Sequence, residues 1–339
     1  MKSVLITGGA GYIGSHMVKL LGEETDYDIT VIDNLSTGRQ EAVLYGDLIV
    51  EDLSDSNGIS GIFSRKKFDA IIHFAASIIV PESVTNPLQY YSNNTVNTIN
   101  LISMALQYKV RYFIFSSTAA VYGIPDEIPV KETTPLHPIN PYGMSKLMSE
   151  RVLIDAAQAH KDLKYIILRY FNVAGASSDG KIGQNFPQAT HLIKKAAQTA
   201  LGKRGHLEIY GTDYDTADGT GVRDYIHVED LAAAHLSALE YLREGNSPDI
   251  FNCGYGRGYS VREVIDTMKK VSGIDFTTEE AARRPGDPPI LVADTRKILT
   301  HLSWKPHFNN LSLICKTALE WEKKIVEAVL GSDIPSKEI

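Results

Sequence analysis

Five short stretches of this chain carry apolar or β-branched side chains on successive residues rather than on alternate ones: Val4–Ile6, Thr30–Ile32, Ala70–Ile72, Phe113–Phe115 and Tyr165–Leu168. A strand with one wet face alternates apolar and polar residues, whereas a parallel strand covered on both faces does not. The segments between them have helical spacing. Leu88, Tyr91, Thr95, Ile99, Ile102 and Leu106 predict the buried face of one long helix, and Met144, Leu147, Met148 and Val152 that of another. Repeated strand–helix units of this kind predict a Rossmann-type α/β fold, a doubly wound parallel sheet between two helix layers. After about residue 172 the regularity falls. Segment 175–190 is rich in Gly, Ser and Asp, 210–222 reads as a long polar loop, and 283–289 as a charged connector. The expected organisation is a Rossmann domain over 1–172 that borrows some later segments. A smaller mixed α/β lobe over 173–330 covers the ligand, and 331–339 is a tail.

Composition narrows the function classes. A net charge of −7 argues against a partner with a phosphate backbone, which calls for a basic face. Hydrophobic residues make up 43% of 339, enough for a sizeable core without disulfides or structural metals. The two cysteines, Cys253 and Cys315, have neither the number nor the spacing for a disulfide framework or a zinc site. No run of about 18 apolar residues suits a bilayer, and Met1-Lys2-Ser3 enters the first strand too soon for a signal peptide. The expectation is a soluble cytoplasmic protein with no metal, no nucleic acid and no membrane.

The first strand runs into Gly8, Gly11 and Gly14, followed by a helical pattern. Glycines there permit a tight turn, close approach of backbone N–H groups to a pyrophosphate, and close helix–strand packing. The helix N-terminus adds partial positive charge for the anion. The second strand ends in Asp33, 19 residues past Gly14, where a carboxylate suits the adenosine ribose and repels the 2′-phosphate of NADP. Asp33, with Asn34 beside it and Asp52 after the strand-like 48–50, predicts an NAD site.

Tyr142 and Lys146 form a YxxxK pair at the start of a helix, on one face of it. A neighbouring ammonium lowers the pKa of a phenol from its usual value of about 10, which predicts Tyr142 as a general base. Thr118 follows the strand Phe113–Phe115, at the strand end where an open sheet forms its ligand crevice.

The motifs together resemble the extended short-chain dehydrogenase/reductases and, among these, the UDP-galactose/UDP-glucose 4-epimerases. The resemblance is carried by Thr-Gly-Gly-Ala-Gly-Tyr-Ile-Gly-Ser-His (7–16), Asp-Asn-Leu-Ser (33–36), His-Phe-Ala-Ala (73–76) and Pro-Tyr-Gly-Met-Ser-Lys (141–146). Leu-Arg-Tyr-Phe-Asn (168–172), Asp-Gly-Thr-Gly-Val-Arg-Asp-Tyr-Ile-His-Val (218–228) and Arg-Arg-Pro-Gly-Asp (283–287) are more specific to the epimerases.

It implies a catalytic triad of Thr118, Tyr142 and Lys146. NAD would be held by Gly8, Gly11, Tyr12, Ile13, Gly14, Asp33, Asn34, Asp52, Phe74, Ala75, Ala76, Asn94, Ser116, Tyr142 and Lys146. For a UDP-sugar it implies Asn172 and Arg223 on the diphosphate, Arg284 and Asp287 on the uridine side, and Tyr210 against the uracil with His191 and Leu192 along it. Thr118 would also meet the sugar. A homodimer built from the helices around 88–106 and 142–157 is implied too. Dehydratases of the same family carry Asp-Glu after the catalytic Thr; here Ala119-Ala120 cannot do that acid/base work. Leu291 stands where a bulky Tyr closes the sugar pocket in some members, which leaves N-acetylated UDP-sugars as an alternative substrate. An enzyme exchanging NAD with solvent is the remaining one. Ile78 and Ile79 replace a polar or basic residue found in some members.

Overall fold

The computed structural model of the protein describes residues 2–284 and 287–332. Pro285 and Gly286 of the connector, and the expected tail beyond Ser332, lie outside the described residues.

Each of the five apolar runs lies in a strand. The first six strands are β1 (Ser3–Thr7), β2 (Asp28–Asp33), β3 (Asp47–Val50), β4 (Ala70–His73), β5 (Tyr112–Thr118) and β6 (Lys164–Tyr170). Then come β7 (Asn172–Ala174), β8 (Leu207–Tyr210), β9 (Val222–His227) and β10 (Asp249–Cys253). The main sheet is parallel and has seven strands in the order β10-β6-β5-β4-β1-β2-β3. Its register sets Ile6 beside Val31 and Ile72.

The continuous apolarity follows from helices on both faces. Val4 and Ile6 face a core containing Met17, Val18 and Leu21 of α1 (Tyr12–Glu24), while Leu5 faces the opposite one. That second core takes Ile59 and Phe63 from α2 (Ser56–Arg65). Each such side chain, fully buried, contributes roughly 1.5–3 kcal/mol.

The segment expected as one long helix is broken. It runs as α3 (Val80–Thr85), α4 (Pro87–Tyr90), a π-helical turn at Tyr91–Val96, and α5 (Asn97–Gln107). A π turn inserts a residue and rotates the buried face. Of the expected stripe only Thr95 and Ile102 are buried, while Leu88 is 79% exposed and Ile99 39%. The inward face holds Tyr90, Asn94, Thr98, Leu101 and Ala105 instead. The next helix, α6 (Pro141–Ala159), is also turned from expectation. Its buried face carries Tyr142, Ser145, Lys146, Ser149, Glu150 and Leu153, whereas Met148 is exposed and Met144, Leu147 and Val152 are half-buried.

Beyond β6 the chain adds α7 (Leu192–Ala200) and α8 (Val228–Arg243), the latter returning to pack on α1. It then adds β11 (Gly258–Ser260), α9 (Val261–Ser272), β12 (Thr278–Ala281), β13 (Ile290–Leu291), α10 (Arg296–His301) and α11 (Leu311–Ser332). Helix α11 thus continues past residue 330, where the tail was expected to begin. Around β9 gather β7 and β13, parallel to it, and β11, antiparallel; β12 pairs with β8. Ile193, Ala197, Val264, Met268, Ile314 and Leu319 form the core between α7, α9 and α11. The loop 210–222 is packed rather than solvated: Tyr214 and Thr220 are buried, and Asp218 accepts hydrogen bonds from the Thr220 and Ser260 hydroxyls. Among the described residues no helix is long and apolar enough to cross a membrane.

Candidate active site

The turn from β1 to α1 has no room for side chains. Gly8 has φ +74°, and a Cβ there would lie 2.6 Å from the Ala75 nitrogen. A Cβ on Gly14 would lie 2.2 Å from the Gly8 carbonyl oxygen. Gly11 is the residue before α1, with no side chain capping the helix. The opening N–H groups, at Tyr12, Ile13 and Gly14, are the donors that any helix start leaves without an intrahelical acceptor. Such a bare backbone cradle fits a pyrophosphate.

Asp33 ends β2 close by. Its Oδ2 accepts from the Ala10 N–H at 2.9 Å and its Oδ1 from Leu35 at 2.8 Å. Burial pushes this carboxyl up from its ordinary value, and those N–H groups oppose the push. Asn34 donates to Asp52 Oδ2 at 2.6 Å, and hydrogen bonds from Ser54 and Asn34 hold the Asp52 carboxyl low. One acidic rim therefore links Asp33, Asn34 and Asp52 beside the glycine turn. Gly38 belongs to the same wall, since a Cβ there would lie 2.7 Å from the Ala10 backbone. After β4, the N–H groups of Phe74 and Ala75 donate to the Thr7 carbonyl at 2.9 and 3.1 Å, and Ala76 follows half-buried.

Two residues expected at the cofactor spend their side chains elsewhere. The Tyr12 hydroxyl donates to the Gly175 carbonyl at 2.6 Å, so only its backbone belongs to the cradle. The Asn94 amide donates to the Ser77 carbonyl and the Ser145 hydroxyl, both at 3.0 Å, and accepts from the Ser77 N–H. It ties the loop after β4 to α6. Ser116, buried in β5, donates to the Tyr170 hydroxyl at 3.1 Å.

Thr118 closes β5, and Tyr142 lies in the first turn of α6. That helix starts where Asn140 accepts from the Gly143 N–H at 2.8 Å and Pro141 supplies a preset φ. Thr118, Tyr142 and Lys146 are all buried. Burial raises the Tyr142 phenol, and the Thr118 hydroxyl pulls it partly back. This corrects the expectation from the YxxxK spacing, because burial outweighs the lysine. Burial also lowers the Lys146 ammonium to about 7, against the raising effect of Glu150. The ammonium lies 4.4 Å from the centroid of the Phe115 ring. A phenol and an amine with opposed shifts toward each other suit proton transfer.

A second cluster gathers four of the expected substrate residues. Arg284 donates to Asp287 Oδ2 at 2.8 Å and lies 5.0 Å from the Tyr210 ring centroid. Arg223 Nη2 lies 3.7 Å from Asp287 Oδ1. Asp224 is not its partner: that buried carboxylate accepts the N–H groups of Tyr255 and Gly256, and burial pushes it up to about 6. Asn172 begins β7 opposite Tyr225 of β9. Leu291 pairs with Arg223 in register, and its side chain packs with Ala119, Tyr122 and Phe171 beside Thr118. His191 precedes Leu192 at the start of α7. Its ring lies 6.4 Å from that of Tyr12, and burial lowers it to about 4.

Three residues in this neighbourhood went unread in the sequence: Ser117, Glu150 and Arg169. Glu150 follows Lys146 at the same four-residue step that separates Lys146 from Tyr142, which was the available signal.

A glycine cradle, an acidic rim and a buried Tyr–Lys pair at the strand ends define a dinucleotide-dependent α/β enzyme site. The chain belongs to the NAD dependent epimerase/dehydratase family, whose sequence pattern matches residues 4–254. It is 51% identical over 333 residues to the UDP-glucose 4-epimerase of Azospirillum brasilense, covering 98% of this chain and 95% of that protein. The UDP-Glc/GlcNAc 4-epimerase of Campylobacter jejuni is 56% identical, with a TM-score of 0.84 over 96% of this chain and 100% of that one. The UDP-glucose 4-epimerase of Brucella ovis, solved in complex with NAD, is 43% identical with a TM-score of 0.91, covering 94% of this chain and 98% of that one.

Proposed function

We propose that this protein interconverts UDP-galactose and UDP-glucose by inverting sugar carbon 4, with NAD kept through the cycle. The adjacency of Thr118, Tyr142 and Lys146 in one buried site carries the reading. NAD, when bound, supplies a reversible hydride acceptor. Tyr142 as phenolate takes the proton of the sugar 4-hydroxyl and later returns it. Thr118 hydrogen-bonds the same oxygen, and the Lys146 ammonium stabilises the phenolate. The 4-keto sugar turns about its diphosphate link between the two proton transfers, so both faces of C4 meet the same base.

Arg223 and Arg284 offer guanidinium forks for the UDP, with Asn172, His191, Leu192, Tyr210 and Asp287 as its further contacts. Those residues form the UDP-sugar lobe in this reading, and the strands before Phe171 the NAD lobe. Ala119 and Ala120 leave no acid/base pair for dehydration. Two buried, unpaired thiols, Cys253 and Cys315, suit a reducing compartment such as the cytoplasm. The exposed Val84, Leu88, Val96, Ile99 and Met148 on α3–α6 form the face on which a second copy would dock as a homodimer.

A second reading adds UDP-GlcNAc and UDP-GalNAc as substrates. Leu291 favours it: its side chain, smaller than Tyr, lies in the apolar wall beside Thr118.

One NMR time course on purified protein with equal UDP-galactose and UDP-GalNAc, without added NAD, tests both. Conversion of UDP-galactose alone supports the first reading, and conversion of both supports the second. No conversion even after NAD is added overturns the epimerase assignment.

A further inference from the structure

Under the proposed base lies a buried ion pair that the reaction as described does not use. Glu150 follows Lys146 by one helical turn on the buried face of α6. Its Oε1 accepts from the Ser117 hydroxyl at 2.5 Å and from Arg169 Nε at 3.0 Å, and its Oε2 from Arg169 Nη2 at 2.6 Å. Ser117 and Arg169 are direct partners across β5 and β6, and Ser117 immediately precedes Thr118. Arg169 Nη1 donates to the Tyr122 hydroxyl at 3.0 Å, which donates to Asn252 Oδ1 on β10 at 2.7 Å. One carboxylate therefore joins the helix that carries Tyr142 and Lys146 to the strand that carries Thr118.

As an anchor alone this pair is a poor choice. Replacing a buried ion pair by apolar side chains of similar volume is often neutral or stabilising. A charge in this place has an electrostatic use if it acts on a neighbour, and Lys146 is that neighbour.

We propose that Glu150 is a positioning residue for the reaction, holding Thr118 against Tyr142 through Ser117 and keeping Lys146 in its ammonium form through its own charge. The inference rests on the proposed roles of Tyr142 and Lys146.

The surroundings of Lys146 support it. From α6 the groups are Tyr142 and Glu150; from β4 His73, held neutral at about 3 by burial and by Lys146; from β5 the Phe115 ring. From β6 Tyr170 and from α4 Tyr90 couple to Tyr142, and both are raised by burial. Around Glu150 are Arg169, Tyr122 and Tyr165. Burial alone drives Lys146 down, and Glu150 is the carboxylate that opposes it.

The test follows Lys146 directly, by carbon NMR of protein labelled at the lysine ε-carbons, with the signal assigned through its loss in Lys146→Met. It is paired with pH profiles of UDP-galactose turnover. In Glu150→Gln the Lys146 midpoint should fall by about half a pH unit or more. The alkaline limb of kcat should move down with it, and KM should stay within about twofold of the wild type. Glu150→Asp keeps the charge and should hold the midpoint while kcat drops. Ser117→Ala removes only the bond to β5 and should lower kcat severalfold, with KM and midpoint unchanged.

An unmoved midpoint and limb in Glu150→Gln, with only thermal stability reduced, makes Glu150 a plain anchor and overturns the inference. If that variant does not fold, a normal kcat in Ser117→Ala or a shifted midpoint in Glu150→Asp overturns it. An inactive wild type overturns the functional reading and this one with it, whereas an active wild type with an unmoved Lys146 overturns this one alone.

Discussion

Tyr142 illustrates what a residue pattern can and cannot say. The YxxxK spacing located a phenol and an amine on one helix face, and the structure has both there, buried. The pattern could not give the sign of the phenol's shift, because burial depends on β5, β6 and the loop after β4, which are remote in sequence. With its pKa raised by burial, the phenol is a strong base once ionised and needs compensating positive charge to ionise near neutral pH. Tyr142→Phe should cut turnover of UDP-galactose by about 10²–10⁴-fold while purified protein keeps its NAD absorbance. Near-normal turnover would remove Tyr142 from the role of base. Glu150 and Arg169 stayed unread for a similar reason: their bond spans 19 residues and the space between a helix and a strand.

At the scale of elements, the continuous apolar runs identified β1, β2, β4, β5 and β6, since a strand between two helix layers has no wet face. The helix stripes misled, for two different reasons. In 88–106 the π turn shifted the phase, and it depends on a tertiary contact. The Asn94 carbonyl accepts hydroxyl bonds from Thr98 at 2.5 Å and from Ser149 of α6 at 3.2 Å. In α6 the inward face is polar because it bears the site, so the apolar residues were left on the other side. Two helical regions with apolar outer faces are what an interface between two copies requires. Sedimentation at micromolar concentration should therefore give a dimer, and Leu88→Glu with Ile99→Glu should give a folded monomer. A wild-type monomer would refute the dimer.

For the whole molecule the buried histidines set the acid limit. His73 and His227 are lowered to about 3, and His16, His191 and His235 to about 4, all chiefly by burial. The unfolded chain takes up protons at these rings below about pH 6.5, whereas the folded one does not until pH 3–4. Stability is thus complete above pH 6.5 and falls as pH drops toward 4, by up to about 1.4 kcal/mol per histidine per pH unit. The melting temperature should decline steeply across that window; a flat profile between pH 6.5 and 5 would contradict it. The order of the main sheet bears on how the chain is made. Strand β6 keeps one edge of bare N–H and C=O groups until β10 arrives, and β10 is synthesised after the whole of β7, α7, β8, β9 and α8. A nascent chain on the ribosome therefore carries an unsealed sheet edge through the production of much of its second half, an interval in which strand addition by a neighbouring nascent chain competes with the native partner. The polypeptide closes its first sheet with one of its later strands, so a fragment ending at residue 172 would keep that edge for good.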